Sequence, residues 1–233
     1  MRLLVVNPNT TASMTRKIGA AAMRAASPGT EVVAVNPQTG PVSIEGYYDE
    51  AISVPGLLEV VRQAQGVDAV IVACFDDTGL DAARCLTAAP VVGIGEAGFH
   101  FASMLSNKFS VVTTLSRSVP AIEHNLVRYG LAHRCARVRA SDVPVLDLEK
   151  VDAESRGKIA REIRLAIEED RAEAIVLGCA GMTDLAASFA EEFGLPVLDG
   201  VACAVAMGEA MARIGLRTTR RGGYAPPIEK PVA

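Results

Sequence analysis

The chain carries an internal repeat, and in each half a cysteine ends an apolar run. Cys74 closes Ala69-Val70-Ile71-Val72-Ala73-Cys74, and Cys179, 105 residues later, closes Ala174-Ile175-Val176-Leu177-Gly178-Cys179. The same offset carries Leu4-Val5-Val6 onto Phe109-Ser110-Val111, Asn9 onto Thr114 and Thr78-Gly79-Leu80 onto Thr183-Asp184-Leu185. With one extra residue, Pro90-Val91-Val92 falls on Pro196-Val197-Leu198. A duplicated unit with one thiol per half predicts two pseudo-symmetric lobes with a site between them. Sulfur would then flank both sides of whatever binds. That geometry suits removing a proton from one face of a carbon and returning it on the other.

Short β-branched runs alternate with longer Ala-rich stretches, the pattern of βαβ units and a mostly parallel sheet. Strands are expected at 2–7, 31–35, 69–74, 90–94, 109–114, 137–140, 174–179 and 196–199. Helical patterns cover 11–26, 54–65, 97–106, 119–129, 153–170, 183–193 and 201–214. Pro55 is read as an early-helix residue, and Gly130 and Gly194 as C-caps. The fold class is therefore α/β, with two lobes that each hold a mostly parallel four-stranded sheet flanked by helices. Residues 1–97 with 208–233 are assigned to the first lobe and 98–207 to the second. Ligands of such sheets bind beyond the carboxyl ends of the strands, here the cleft between the lobes. The segment from Arg217 to Ala233 reads as irregular, a surface or oligomer-contact stretch.

The 233 residues are 50% hydrophobic and 21% charged, which suits a chain with a substantial core. Apolar runs fall far short of the ~20 residues that span a bilayer, and the run at the N-terminus is too short for a signal-peptide core. A cytoplasmic location without membrane contact is expected. Net charge is −4 and no basic stripe is interleaved with aromatics, so nucleic acid is not an expected partner. The five cysteines form no C-x-x-C pair and no His–Cys spacing typical of zinc, and no metal is expected.

A thiol is a weak base unless its pKa falls, and a helix N-terminus can lower it. Cys74 and Cys179 both stand where a strand leads into a helix, with Thr78 and Thr183 as candidate caps. Asp76 and Asp77 would raise Cys74 if their carboxylates point inward, whereas no acid follows Cys179 until Asp184. The two thiols are thus expected to be inequivalent, as an acid and its partner base should be. A lone Cys at a strand end is usually a small hydrophobe; the pairing by repeat favours chemistry. Asn9, Thr10 and Thr11 after the first strand, and Thr113, Thr114 and Ser116 after its counterpart, are either turn and cap residues or donors to a ligand carbonyl. Gly93-Ile94-Gly95-Glu96-Ala97-Gly98 matches G-x-G-x-x-G. It lacks the acidic residue that a dinucleotide site shows ~20 residues on, so close helix–strand packing is the preferred reading. His100 and His124 have no nucleophile at a recognisable spacing, although His100 could orient a site group. Cys85, Cys135 and Cys203 are assigned to packing or surface.

Asn7-Pro8-Asn9-Thr10-Thr11, Ala73-Cys74-Phe75-Asp76-Asp77-Thr78-Gly79-Leu80, Gly93-Ile94-Gly95-Glu96-Ala97, Val111-Val112-Thr113-Thr114 and Leu177-Gly178-Cys179-Ala180-Gly181-Met182 together resemble the hydantoin racemases. These belong to the aspartate/glutamate racemase superfamily. The resemblance covers almost the whole chain, including Tyr224-Ala225-Pro226-Pro227. It implies an inter-lobe active site, inversion by two cysteines with no cofactor, and a homo-oligomer. The amino-acid racemases resemble one another in Cys-Asn-Thr and Cys-Thr-His motifs. Here those places read Cys74-Phe75-Asp76 and Cys179-Ala180-Gly181, which suits a neutral ring over an anionic substrate. Arylmalonate decarboxylases resemble the fold with one of the two cysteines, and having both argues against decarboxylation. Motifs alone do not separate hydantoin from allantoin as substrate.

The expected activity is racemisation of 5-substituted hydantoins, with Cys74 and Cys179 as catalytic residues. Substrate contacts are expected from Asn9, Ile44, Phe75, Asp76, Thr78, Thr113, Thr114, Ala180 and Gly181. Two other classes fit less well: a binding protein that kept the cleft, and a redox protein in which Cys74 and Cys179 close to a disulfide.

Overall fold

The structure, a computed structural model, describes residues 1–228. Residues 229–233, the end of the segment assigned to the first lobe, lie outside the described residues. Among the described residues eight strands form two parallel sheets of four. The first holds β1 (Arg2–Val6), β2 (Glu31–Val35), β3 (Ala69–Val72) and β4 (Val91–Gly93) in the order β2-β1-β3-β4. The second holds β5 (Phe109–Thr113), β6 (Cys135–Ala140), β7 (Ala174–Gly178) and β8 (Val197–Asp199) in the matching order β6-β5-β7-β8. All eight expected strands are present. β1, β3, β5 and β7 are the inner strands, and β3, β5 and β7 are buried along their whole length. Burial on both faces explains why they are nearly all apolar instead of alternating.

Pairing corrects the repeat by one residue at the first strand. Leu3 pairs with Ala69 and Phe109 with Ala174, so Leu3 and Phe109 are equivalent, 106 residues apart. Ala69 and Ala174 keep the offset of 105. A slip of one residue reverses which face each side chain takes. The counterpart of Thr113 is therefore Asn7, and Asn9 corresponds to Leu115, not Thr114.

Among the described residues eight α-helices flank the sheets: α1 (Ala12–Ala25), α2 (Tyr47–Gln63), α3 (Leu80–Arg84), α4 (Ile94–Leu105), α5 (Val119–Arg128), α6 (Ala153–Glu168), α7 (Ala186–Phe193) and α8 (Gly200–Arg213). The expected helix at 54–65 begins seven residues earlier, and Pro55 sits inside it. Its first turn carries Asp49 and Glu50, charges that favour a helix N-terminus, but its N-cap is Gly46 at φ 140 with no side-chain cap. No cap signal marks that start. Gly130 and Gly194 adopt the left-handed conformation after α5 and α7, as their reading as C-caps requires.

Two apolar clusters lie on the outer faces, one uniting β1, β3 and α2 and the other β7, α6 and α7. A third lies between the sheets and joins Met14 and Ile18 of α1, Phe99 of α4, Ile122 of α5 and Val201 and Val205 of α8. Helix α8 packs on α1 and β3, while α4 packs on β7 and α8. The chain after α8 turns back on itself: Thr218 donates to Ala88 O and Arg220 to the carbonyls of Arg84, Cys85 and Thr87. Among the described residues no helix is long and apolar enough to cross a membrane.

Candidate active site

In each sheet the chain leaves the two inner strands toward opposite edges. β1 leads to β2 while β3 leads to β4, and β5 leads to β6 while β7 leads to β8. Such switch points open a crevice at the strands' carboxyl ends. Both crevices meet in one cavity of about 420 Å³, counted to its open mouth. It is lined by Asn7, Asn9, Met14, Ile44, Ala73, Cys74, Phe75, Asp76, Thr113, Thr114, Ser118, Val145, Gly178, Cys179 and Ala180. The two cysteines of the repeat therefore share a cavity, and both are free thiols.

Their surroundings differ. Cys74 opens a tight loop in which Asp77 has φ 51 and Gly79 φ 68. The Thr78 hydroxyl donates to Cys74 Sγ at 3.5 Å. Burial, then the charge of Asp76, push the Cys74 thiol well above its ordinary range. Cys179 N-caps a 3-10 turn at Ala180–Leu185, and its Sγ accepts the Gly181 N–H at 3.4 Å. Burial raises its thiol to about 11, against the pull of Gly181 N–H and Lys17. Both thiols were expected to be lowered by helix termini. The structure corrects this: the α-helix after Cys74 begins only at Leu80, and desolvation outweighs the few donors present.

Thr78 and Gly181 are not cavity-lining; each contacts a thiol instead. Thr183 is no cap either, since its hydroxyl donates to Asp199 Oδ2. Thr113 lines the cavity, but its hydroxyl donates to Gly178 O at 2.9 Å. Asn9 Oδ1 accepts from Asn7 Nδ2 and Thr11 N–H, which leaves Asn9 Nδ2 against the weak acceptor Met14 Sδ at 3.4 Å. Asn9 Nδ2 is thus a donor available to a ligand. Thr10 and Thr11 hold the neighbouring loop by donating to Pro41 O and Val42 O, and this delivers Ile44 to the cavity. Glu45 ties that loop to the other lobe by accepting the Val145 N–H at 2.9 Å. Ser116 is exposed and Ser118 takes the place at the cavity.

Asp77 explains the Gly93–Gly98 motif. Its carboxylate accepts the N–H groups of Gly95 and Glu96 at 3.0 and 2.7 Å and the Tyr129 hydroxyl at 2.8 Å. The N-terminus of α4, where a phosphate would sit in a dinucleotide fold, is thereby capped from within. A Cβ on Gly95 would lie 2.3 Å from Phe75 O, so glycine permits the close approach of the Cys74 loop. Burial raises Asp77 to about 7 despite its three donors. Asn125 of α5 donates to Asp76 O at 2.7 Å and holds the same loop from the second lobe. His100 lies away from the cysteines, in a groove with Met207, Met211 and Tyr224, and orients nothing at the site. His124 is engaged by the Tyr47 hydroxyl at 2.9 Å.

Asn7 and Ser118, at and beyond the carboxyl ends of the expected strands, line the cavity; sequence reasoning missed Met14 and Val145 there, and Glu50 and Lys17, which act on its charges. The corrected strand register finds Asn7 as the counterpart of Thr113; the others carry no local signal.

A model of the family described as Asp/Glu/hydantoin racemase matches residues 3–208. The hydantoin racemase of Rhizobium meliloti is 48% identical over 235 residues, spanning 100% of this chain and 98% of its own. Two solved structures agree over the full chain. The allantoin racemase from Klebsiella pneumoniae has a TM-score of 0.97 at 45% identity, covering 100% of this chain and 96% of its own. The allantoin racemase from Pseudomonas fluorescens has a TM-score of 0.96 at 44% identity, covering 100% of both.

Proposed function

The chain belongs to the Asp/Glu/hydantoin racemase family, and from that premise we propose that it inverts C5 of 5-monosubstituted hydantoins with Cys74 and Cys179 as its acid–base pair and no cofactor. It is an isomerase, a racemase with a small-molecule substrate. The supporting observation is that thiols from equivalent strand ends line one cavity.

In the proposed step one cysteine, as thiolate, takes the C5 proton. The C–H electrons move into an enolate on the adjacent ring carbonyl, and the other cysteine delivers its S–H proton to the opposite face. The first thiol ends protonated and the second ends as thiolate, ready for the reverse direction. Asn9 Nδ2 and the Thr114 hydroxyl are the donors for the carbonyl that gathers charge. Phe75 and Ile44 form an apolar wall for the C5 substituent. Burial that raises both thiols also means that the thiolate, once formed, is a strong base.

Allantoin is a hydantoin with a ureido group on C5, and the likeness to two allantoin racemases supports it as a second substrate reading. The C5 chemistry is the same in either case. The proposed enzyme is a cytoplasmic homo-oligomer, its subunit number to be measured by light scattering and its location by cell fractionation. Polarimetry on single enantiomers of several hydantoins and of allantoin is the test. Rotation should decay to zero with one of them at least; unchanged rotation with all of them contradicts the proposal.

A further inference from the structure

We propose that the carboxyl groups of Glu50 and Asp76 share a single proton, so that Glu50, a positioning residue, presents Asp76 to the cavity as a neutral acid. This rests on the reading of Cys74 and Cys179 as the acid–base pair. Asp76 is buried, lines the cavity beside Cys74, and is held in place by Asn125. Glu50 stands in the first turn of α2, close enough for the two carboxyl groups to shift one another's proton affinity. Yet Glu50 Oε1 is buried without a donor among the described residues. Two ionised carboxylates cannot hydrogen-bond each other; one proton between them supplies the missing donor.

The charges around Asp76 decide where that proton rests. Glu50 faces it from α2, Asp77 from its own loop, and the two thiols from β3 and β7; α5 contributes only the neutral Asn125 amide. Beyond Cys179 stand Lys17 and Glu45. Burial, Glu50 and Asp77 all push the Asp76 carboxyl well above the usual range, while Glu50 is the less buried of the two. The proton therefore sits on Asp76, and the negative charge on Glu50. This matters for Cys74, because an ionised Asp76 would be the charge that most opposes its thiolate. A neutral Asp76 lets Cys74 become a thiolate in its turn and offers a carbonyl oxygen to a ring N–H.

Glu50→Gln tests this, because a carboxamide can donate to Asp76 and hold it ionised. The kcat for the enantiomer whose proton Cys74 removes should fall about tenfold with a smaller change in KM. The alkaline limb of kcat should move to lower pH by a unit or more. Adding Asp76→Asn, which makes the position permanently neutral, should recover most of the loss. A Glu50→Gln profile that overlays the unmutated one, or a double variant no faster than the single, overturns the proposal. An independent readout is the infrared carbonyl stretch of a protonated carboxylic acid in D2O near neutral pH. It should be present in the unmutated protein and diminished in Glu50→Gln and in Asp76→Asn; identical spectra overturn the proposal even if one variant folds poorly. Should the band behave as expected while no hydantoin or allantoin loses rotation, it is the proposed function that fails and the shared proton stands.

Discussion

The carboxyl ends of β3 and β7 occupy the same place in two copies of one supersecondary unit, yet they are wired differently. After β3, Cys74 enters a loop with two left-handed residues, braced by Asp77 on the N-terminus of α4, by Asn125 of α5 and by Tyr129 just after it. Its nearby titratable groups, Asp76 and Glu50, are carboxyls. After β7, Cys179 starts a 3-10 turn directly, accepts a backbone N–H, and feels the cation of Lys17. Duplication accounts for the two thiols sharing one cavity from equivalent strand ends, and divergence of the loops accounts for their different proton affinities. The proposed two-cysteine inversion would use both: reach to the two faces of a carbon, and one thiol charged while the other is not.

The largest effects should come from erasing the comparison. Cys74→Ser and Cys179→Ser should each lower racemisation by about 10²–10⁴-fold, the range for loss of a positioned acid or base. Optical rotation against time measures it, and either variant racemising at the unmutated rate breaks the claimed symmetry of roles.

Removing the brace on one side alone comes next. Asp77→Ala leaves two amide N–H groups and a phenol without their acceptor, and should destabilise the fold by about 2–4 kcal/mol near pH 5. The pH dependence has a definite sign. Asp77 keeps its proton to about pH 7 when folded and releases it near pH ~4 when unfolded. Its contribution is fully present below pH ~4 and is lost as pH rises to about 7. The stability gap between unmutated protein and Asp77→Ala, read from denaturant midpoints, should therefore narrow from pH ~4 to ~8. A gap that widens contradicts the assignment.

A smaller effect sharpens the other side. Lys17→Met removes the cation that favours the Cys179 thiolate, and should slow by about 3–10-fold the direction in which Cys179 is the base. The acid limb of that direction should shift to higher pH, while the reverse direction changes less. Because kcat/KM must stay equal for the two enantiomers, the difference is read in kcat; equal falls in both kcat values would mean that Lys17 acts through its bond to Leu148 O. Least of all should Cys85→Ser or Cys135→Ser matter. Both thiols donate to backbone carbonyls outside the cavity, and rates should stay within about twofold.

The strands, their parallel pairing and the meeting of the two cysteines in one cavity were legible in the sequence because buried parallel strands leave uninterrupted apolar runs. The start of α2 was not, because Gly46 at φ 140 caps it without a polar side chain and Pro55 suggested a later beginning. The strand register was read one residue off at β1, since apolar runs look alike under a slip of one. Asn9 and Thr114 were legible as polar residues at converging strand ends. Which of them keeps a free donor was not, because Thr113 and Thr183 give their hydroxyls to Gly178 and Asp199, far away in sequence. Glu50 and Lys17 stayed hidden for the same reason. They lie on helices whose faces turn toward the cysteines only after folding, and an acid in a helix's first turn already has a local explanation.

The central claim is that two sulfurs address opposite faces of one carbon. Proton NMR of the C5 hydrogen in D2O, with each pure enantiomer and each single Cys→Ser variant, measures that directly. Each variant should wash out the C5 proton of one enantiomer without inverting it, and the two variants should select opposite enantiomers. If both variants exchange the same enantiomer, the two thiols lie on one side and the account is wrong.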